Sequence, residues 1–325
     1  MWVREEDVVE TVDLPAAIDA VEVALRSAAR NTARGMEKTH VAWGDGHTLH
    51  AIGAVDDAAG LAATKTWAHT GGGATPMLVV WDAEAGLLLA IIEAFALGQL
   101  RTGAMTGVAT RWLAPTDATS AALIGTGKQG AAQLAAMAEA RALDVVAVYS
   151  PSEARRHAFV ERAQAERWPF EVREAESVED AVAGAHIVTT ATRATQPFVH
   201  AGSVEAGTLV NAVGAITPER AELTPDLVAR CDLVVADSPT AAARLASELR
   251  GRDDVVGLDS VVAGEKVRPP TQLTVFKAMG IGLADLAIGR LVLERCRADS
   301  RGANIDHPQR AIPRLRAGDG QGDTR

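Results

Sequence analysis

Apolar positions fall at helical spacing behind a proline in LPAAIDAVEVALRSAAR, residues 14–30, which predicts an amphipathic helix. Strand-like runs follow. THVAW, a GDG turn and HTLHAIGAV predict a hairpin, LAATKTW a third strand, and MLVVWD with LLLAIIE a second hairpin, together a mostly antiparallel sheet. Helical spacing returns over 96–113, and Pro115, Thr116 and Asp117 mark a boundary. Beyond it the rhythm changes: AALIG, DVVAVY, PFEVR, HIVTTAT, TLVNAVG and DLVVADS are short apolar strands separated by helix-compatible runs. That alternation predicts a doubly wound, mainly parallel sheet, so the fold class is α/β with a second, antiparallel unit. A last long helix is expected over 276–295, and the tail beyond 299 mixes Gly, Pro and charge without period and reads as disordered.

The 325 residues predict about two domains at roughly 150 residues each. Five of the six tryptophans, Trp2, Trp43, Trp67, Trp81 and Trp112, fall in the first third, so the two units differ in character. Acidic residues outnumber basic ones 42 to 32, a net charge of −10 and the wrong balance for gripping nucleic acid or an anionic membrane. Neither partner is expected. Cys231 and Cys296 lie far apart without CxxC spacing, which points to a reducing, cytoplasmic setting and to no zinc site. The acidic start MWVREEDVVE lacks the order of a signal peptide, and the longest apolar run is far short of the ~20 residues a membrane span needs.

In AALIGTGKQG, residues Gly125, Gly127 and Gly130 stand in GxGxxG spacing between an apolar strand and the helix AAQLAAMAEA. Glycines there allow a tight turn and close backbone approach to a pyrophosphate, whose charge the helix N-terminus stabilises. The next strand ends in Ser150, Ser152, Arg155 and Arg156 around Glu153. Hydroxyls and arginines suit a ribose 2′-phosphate better than free ribose hydroxyls, so NADP(H) is the expected cofactor and NAD(H) the alternative. The competing reading is that the serines only cap the next helix.

Strand alternation puts Leu61, Ala63, Lys65, Trp67 and His69 on one face, where desolvation should lower the lysine's pKa toward the range of acid–base work. A lysine snorkelling from an edge strand is the competing reading. In the following helix Arg101 interrupts the stripe of Leu97, Ala104 and Val108. Two cations on inward faces of adjacent elements make an anion or carboxylate pocket. His40, His47, His50 and His69 lie in the first unit, but His47 and His50 point to opposite faces and no HExxH accompanies them, so no catalytic metal is expected. No GxSxG follows a strand, which removes a serine hydrolase.

With these residues in place, the sequence resembles the ornithine cyclodeaminase and mu-crystallin family to about Cys296. The matching runs are TKTW, LRTGA, IGTGKQG, TTATRATQP, LVNAVGAITPERAEL and TVFKAMGIGLADLA, in order and spacing. The resemblance implies a homodimer in which residues 1–116, completed by 272–298, form a substrate-binding and dimerisation domain around a Rossmann domain at 117–271, with 299–325 a tail. It implies that Lys65 sits beside the substrate carbon and that Arg101 touches both substrate carboxylate and cofactor. Thr126, Lys128 and Gln129 then fall in the phosphate-binding turn, and Ser150, Ser152 and Arg155 match the ribose-phosphate reader of NADP-using relatives. Thr190 and Thr192 match a loop near the ribose, Val213 one near the nicotinamide, and Lys277 the loop before the last helix.

Two departures bear on the activity. Ile216 stands where cyclodeaminases carry an acidic residue, and Lys38 stands where the family usually has a second carboxylate-binding arginine. The expected activity is therefore an NADP(H)-dependent reduction of an imino acid derived from a 2-oxo acid, or its reverse, an amino-acid dehydrogenation. Lys65 would move the proton, Arg101 and Lys38 would hold the carboxylate, and His69 is a second candidate proton carrier. Ornithine cyclodeaminase and a non-catalytic binder of small ligands are the alternatives.

Overall fold

The computed structural model describes residues 1–269, 271–313 and 315. The first part of the chain runs β1 (Trp2–Val3), α1 (Glu5–Thr11), α2 (Leu14–Ala29), β2 (Ala33–Trp43), β3 (His47–Asp56), β4 (Leu61–Thr70), β5 (Gly73–Ala74), β6 (Met77–Asp82), β7 (Leu88–Glu93) and α3 (Phe95–Leu113). These strands form one sheet in the order β1-β7-β6-β4-β3-β2, with β5 paired to β4. Every pairing is antiparallel except β1 with β7. Asp13 caps α2 by accepting the Ala16 amide, and Pro15 occupies its first turn, where a missing N–H costs nothing. Strand β2 begins at Ala33, six residues before the expected run, because the added stretch is almost wholly exposed and carries no apolar alternation.

The second part runs β8 (Ser120–Ile124), α4 (Gly130–Ala140), β9 (Val145–Tyr149), α5 (Glu153–Ala165), β10 (Glu171–Glu174), α6 (Val178–Val182), β11 (Ile187–Thr190), β12 (Leu209–Ala212), α7 (Pro225–Arg230), β13 (Leu233–Ala236), α8 (Pro239–Leu245), β14 (Val256–Gly257), α9 (Leu258–Val262), β15 (Thr274–Lys277) and α10 (Gly282–Ala298). Its eight strands are all parallel, in the order β10-β9-β8-β11-β12-β15-β13-β14. Successive strand residues feed two different cores: Leu123, Val146, Ile187, Leu209 and Phe276 join the core shared with the first sheet, while Ile124, Ala147, Val188, Val210 and Val275 join a second core on the far face. Both faces are covered, as a parallel sheet requires. The expected Rossmann-type α/β class is the observed one.

One element differs from expectation. The last helix starts at Gly282, not at 276, and Thr274–Lys277 is instead a central strand between β12 and β13. A short, wholly buried apolar run has no periodicity to separate strand from helix. The chain therefore leaves the parallel sheet only after Lys277, and α10 packs back on α2, β3 and β4. Beyond α10, Ala303 makes an isolated bridge to Trp2. Of the tail expected to be disordered, residues 314 and 316–325 lie outside the described residues, and 300–313 carry no helix or strand apart from that bridge.

Candidate active site

Lys65 sits in the middle of the antiparallel sheet, paired with Ile52 of β3 and Leu78 of β6. It is 4% exposed, and its Nζ donates to Asp285 Oδ1 at 2.5 Å. The aspartate comes from the first turn of α10, where a negative charge is favoured by the helix dipole. It reaches the lysine because the helix starts almost on the sheet: a Cβ built at Gly282 would lie 2.2 Å from the carbonyl oxygen of Gly53. Arg101 of α3 brings its Nε to 3.8 Å from the same Asp285 oxygen. Lys38 completes the group from β2, at an irregularity in register between Met36 and Thr39; such bulges re-aim side chains. It is half-buried in an otherwise exposed stretch.

Trp67 lies beneath both lysines, with Lys38 Nζ and Lys65 Nζ at 5.5 and 5.4 Å from its ring centroid. His50 stacks on that ring at 4.7 Å, and His40 stacks on His50 at 5.5 Å. The electrostatics follow from this crowding. Burial pushes the Lys65 ammonium below the usual lysine range; Asp285 opposes the shift and Arg101 adds to it. Burial, followed by the charges of Arg101 and Lys65, lowers Lys38 to about 8, with Arg220 also contributing. Burial and the Lys38 charge hold His50 down at about 4, so it is a neutral wall and not a charged ligand.

Three buried polar atoms in the cluster, Asp285 Oδ2, Arg101 Nε and His50 Nδ1, have no hydrogen-bond partner among the described residues. Buried polar groups are rarely left so, and functional sites are where the exceptions gather. The cluster thus offers surplus positive charge, a lysine poised to exchange a proton, and unsatisfied polar atoms. That combination can bind a small carboxylate and protonate a group beside it. His69 is on the same strand face, but four residues along, roughly 13 Å at strand spacing, and exposed. The structure does not bring it to Lys65.

A second group of expected site residues lies at the carboxyl ends of the parallel strands, where the order reverses between β8 and β11. Gly125 has φ +117°, and a Cβ there would fall 2.6 Å from the carbonyl of Ala191, so the turn after β8 closes on the loop after β11. A Cβ on Gly127 would meet nothing within 4 Å. Residues 125–130 lead into α4, with Thr126 half-buried, Lys128 exposed and the buried Gln129 Oε1 unpartnered. Ser152 is the N-cap of α5 but makes no side-chain capping bond. Its hydroxyl remains available. Arg156 is committed to Glu174 and the Ser150 carbonyl, whereas Arg155 is exposed and forms no ion pair among the described residues. Glycine backbone, open space and a helix N-terminus fit the pyrophosphate of a dinucleotide, and the side chains of Ser152 and Arg155 have no partner among the described residues. Among the described residues no three His, Cys, Asp or Glu side chains gather as a metal site would need.

The family model for the ornithine cyclodeaminase/mu-crystallin family matches residues 1–300. The chain belongs to this family. It is 30% identical over 241 residues to a Delta(1)-pyrroline-2-carboxylate reductase of Bacillus cereus, covering 71% of this chain and 74% of that one. It is 30% identical over 219 residues to the ketimine reductase mu-crystallin of Rattus norvegicus, covering 67% and 68%. Among solved structures, an archaeal alanine dehydrogenase dimer with bound NAD superposes with a TM-score of 0.87 at 25% identity, over 94% of this chain and 98% of that one.

Within this family member two expected positions need correction. Thr190 is not in a loop: it ends β11, is fully buried, and turns its hydroxyl to the Asn211 carbonyl at 3.5 Å. Lys277 is not in the loop before α10 either. It ends β15, fully buried, with Nζ 2.8 Å from Glu248 Oε1. Thr192 and Val213 do lie just past the ends of β11 and β12. Sequence reasoning passed over Asp285, although it is the sole charged residue between Lys277 and Arg290 and a lone acid in an apolar run is a signal in itself. Arg220 and Trp67 were likewise not assigned roles.

Proposed function

We propose that this protein is an NADP(H)-dependent imine reductase, or amino-acid dehydrogenase in the reverse direction, acting on a small imino acid derived from a 2-oxo acid. The observation that carries the reading is the buried Lys65–Asp285 pair beside two further cations, Arg101 and Lys38, with unsatisfied polar atoms between them. When bound, the nicotinamide supplies or accepts the hydride at the substrate α-carbon. Arg101 and Lys38 hold the carboxylate by charge-assisted hydrogen bonds. Lys65 donates a proton to the substrate nitrogen in the reductive direction and recovers it in the other; Asp285 keeps the Lys65 side chain aimed. Thr126, Lys128 and Gln129 lie where the pyrophosphate would meet the start of α4, Thr192 and Val213 where the nicotinamide half would pass, and Ser150, Ser152 and Arg155 where a 2′-phosphate would bind. A homodimer in a cytoplasmic setting completes the reading; the dimeric alanine dehydrogenase of the same fold supports the first of these.

Ile216 weighs against cyclodeaminase chemistry, because an alkyl side chain cannot carry the proton that ring closure would need. The test is a panel of cyclic imines, and of 2-oxo acids with amines, each with NADH and NADPH and followed by nicotinamide absorbance. Oxidation of NADPH by at least one imino acid, faster than of NADH, is the expected result. Ammonia release from ornithine with no net absorbance change would favour the cyclodeaminase instead, and a clear preference for NADH would overturn the assignment of Ser152 and Arg155.

A further inference from the structure

The loops at the ends of β11 and β12 are joined by a buried carboxylate. Glu222, fully buried, accepts at Oε1 from the backbone N–H of Thr192 at 2.7 Å and from its hydroxyl at 2.8 Å. At Oε2 it accepts from the backbone N–H groups of Gly214 at 2.8 Å and Ala215 at 3.2 Å. All four partners donate, which is what an ionised, acceptor-only carboxylate requires. The packing leaves no slack: a Cβ at Gly214 would lie 2.2 Å from the Thr192 carbonyl and 2.4 Å from Glu222 Oε1. The residue is anchored in turn, since its own backbone N–H donates to Glu248 Oε2 at 2.8 Å, and Glu248 Oε1 receives Lys277 Nζ from the end of β15. Three adjacent parallel strands thus end in one hydrogen-bonded chain of buried groups.

We infer that Glu222 is a positioning residue for the nicotinamide half of the cofactor: its carboxylate fixes the loops after β11 and β12 in the arrangement the dinucleotide meets. The inference rests on the cofactor reading above. Glu222 is itself fully buried; it acts through Thr192, Gly214 and Ala215. Oriented backbone that is already fixed need not be ordered when the ligand arrives, so the carboxylate contributes affinity without contacting the ligand. The adenosine half is assigned to residues 125–130 and 150–155, none of which bonds to Glu222; Gly125 meets the loop after β11 only by packing against Ala191 and Thr192.

That separation sets the experiment. Glu222→Gln keeps the shape but turns an NH2 toward two donors, leaving one loop without its acceptor. NADPH and NADH are titrated by fluorescence into wild type and variant, and 2′,5′-ADP and ADP by calorimetry. Glu222→Gln is expected to weaken the full dinucleotide by about tenfold or more, as loss of hydrogen bonds to a charged group predicts, and to leave the adenine-half fragments within about twofold. Equal weakening of fragments and dinucleotides, or no weakening of either, overturns the inference. Should the variant not fold, amide hydrogen exchange on the wild type decides: Thr192, Gly214 and Ala215 are expected to be strongly protected without cofactor, and exchange at the rate of exposed loops overturns it. A wild-type chain that binds neither dinucleotide removes the cofactor reading and this inference together, whereas a wild type that binds and a variant that binds equally well removes the inference alone.

Discussion

Among the described residues two lysine–carboxylate pairs are buried, Lys65 with Asp285 and Lys277 with Glu248, and their surroundings differ in kind. Around Lys277 the carboxylates are matched donor for acceptor: Glu248 divides its oxygens between the lysine and the Glu222 backbone, and Glu222 spends both of its own on two loops. Around Lys65 the accounts stay open. Asp285 keeps one buried oxygen unpartnered, Arg101 keeps its Nε, and Lys38 adds a further charge. A buried ion pair is weak evidence of stability by itself, because desolvation offsets most of the attraction. What distinguishes the two is completion. The satisfied network holds backbone in place, and the incomplete one has affinity left for a ligand.

The largest expected consequence is in turnover. Lys65→Ala should lower kcat by about 10²–10⁴-fold, the usual contribution of a positioned acid–base group. NADPH affinity should hardly move, since the cofactor crevice keeps its loops; this is checked by fluorescence titration beside the steady-state assay. A variant that keeps most of its activity would sink the assignment. Lys277→Met gives the converse. It strands Glu248 as a buried unpaired charge, which should cost about 3–5 kcal/mol in denaturant unfolding, more than Lys65→Ala, where Arg101 at 3.8 Å still faces Asp285. If the two substitutions cost the same stability, the contrast between the pairs fails.

Asp285→Asn sharpens the comparison from the carboxylate side. Asp285 opposes the burial that lowers Lys65, so its neutralisation lets the lysine fall further. The protonated lysine is the form present below its pKa. The alkaline limb of kcat/KM should therefore move toward acid, since an opposite charge that favours the ammonium is removed. A pH profile unchanged by the substitution would show that Lys65 is not the titrating group.

The unequal legibility of the two pairs has a physical cause. Lys65 and Arg101 could be read because each breaks an apolar stripe whose period is visible locally. Asp285 breaks one too, in LADLAIG, yet its partner is 220 residues away and only the approach of α10 to β3 brings them together. Glu222 and Lys277 gave no local sign. The glutamate stands in TPERAEL among charged neighbours that look solvated, and Lys277 follows the short run LTVF, which strand and helix could equally use. The GxGxxG turn was legible because three glycines, a strand and a helix must coincide within one short segment. The loops it meets were legible only through the family resemblance, which placed Thr192 and Val213 past the strand ends but misplaced Thr190, since which residues end β11 and β12 depends on pairing across the sheet.

Lys38 supplies the smallest effect and the finest division within the open cluster. Its ammonium is lowered to about 8, chiefly by burial and then by Arg101 and Lys65, so below that pH it carries a proton and above it is neutral. On the proposed reading, losing that charge removes one of two cations from the substrate carboxylate. KM for the imino acid should therefore rise several-fold between pH 7.5 and 9.5, in keeping with the ~0.5–1.5 kcal/mol net contribution of one hydrogen bond while Arg101 remains, and kcat should change less. Bound carboxylate favours the protonated lysine, so the break should lie at higher pH in kcat than in kcat/KM. Lys38→Arg separates this from the titration of Lys65, because a guanidinium keeps its charge throughout the range. In that variant the rise in KM should vanish while the Lys65-dependent limb of kcat persists. A wild-type KM that stays flat through pH 8 would mean that Arg101 holds the carboxylate without Lys38.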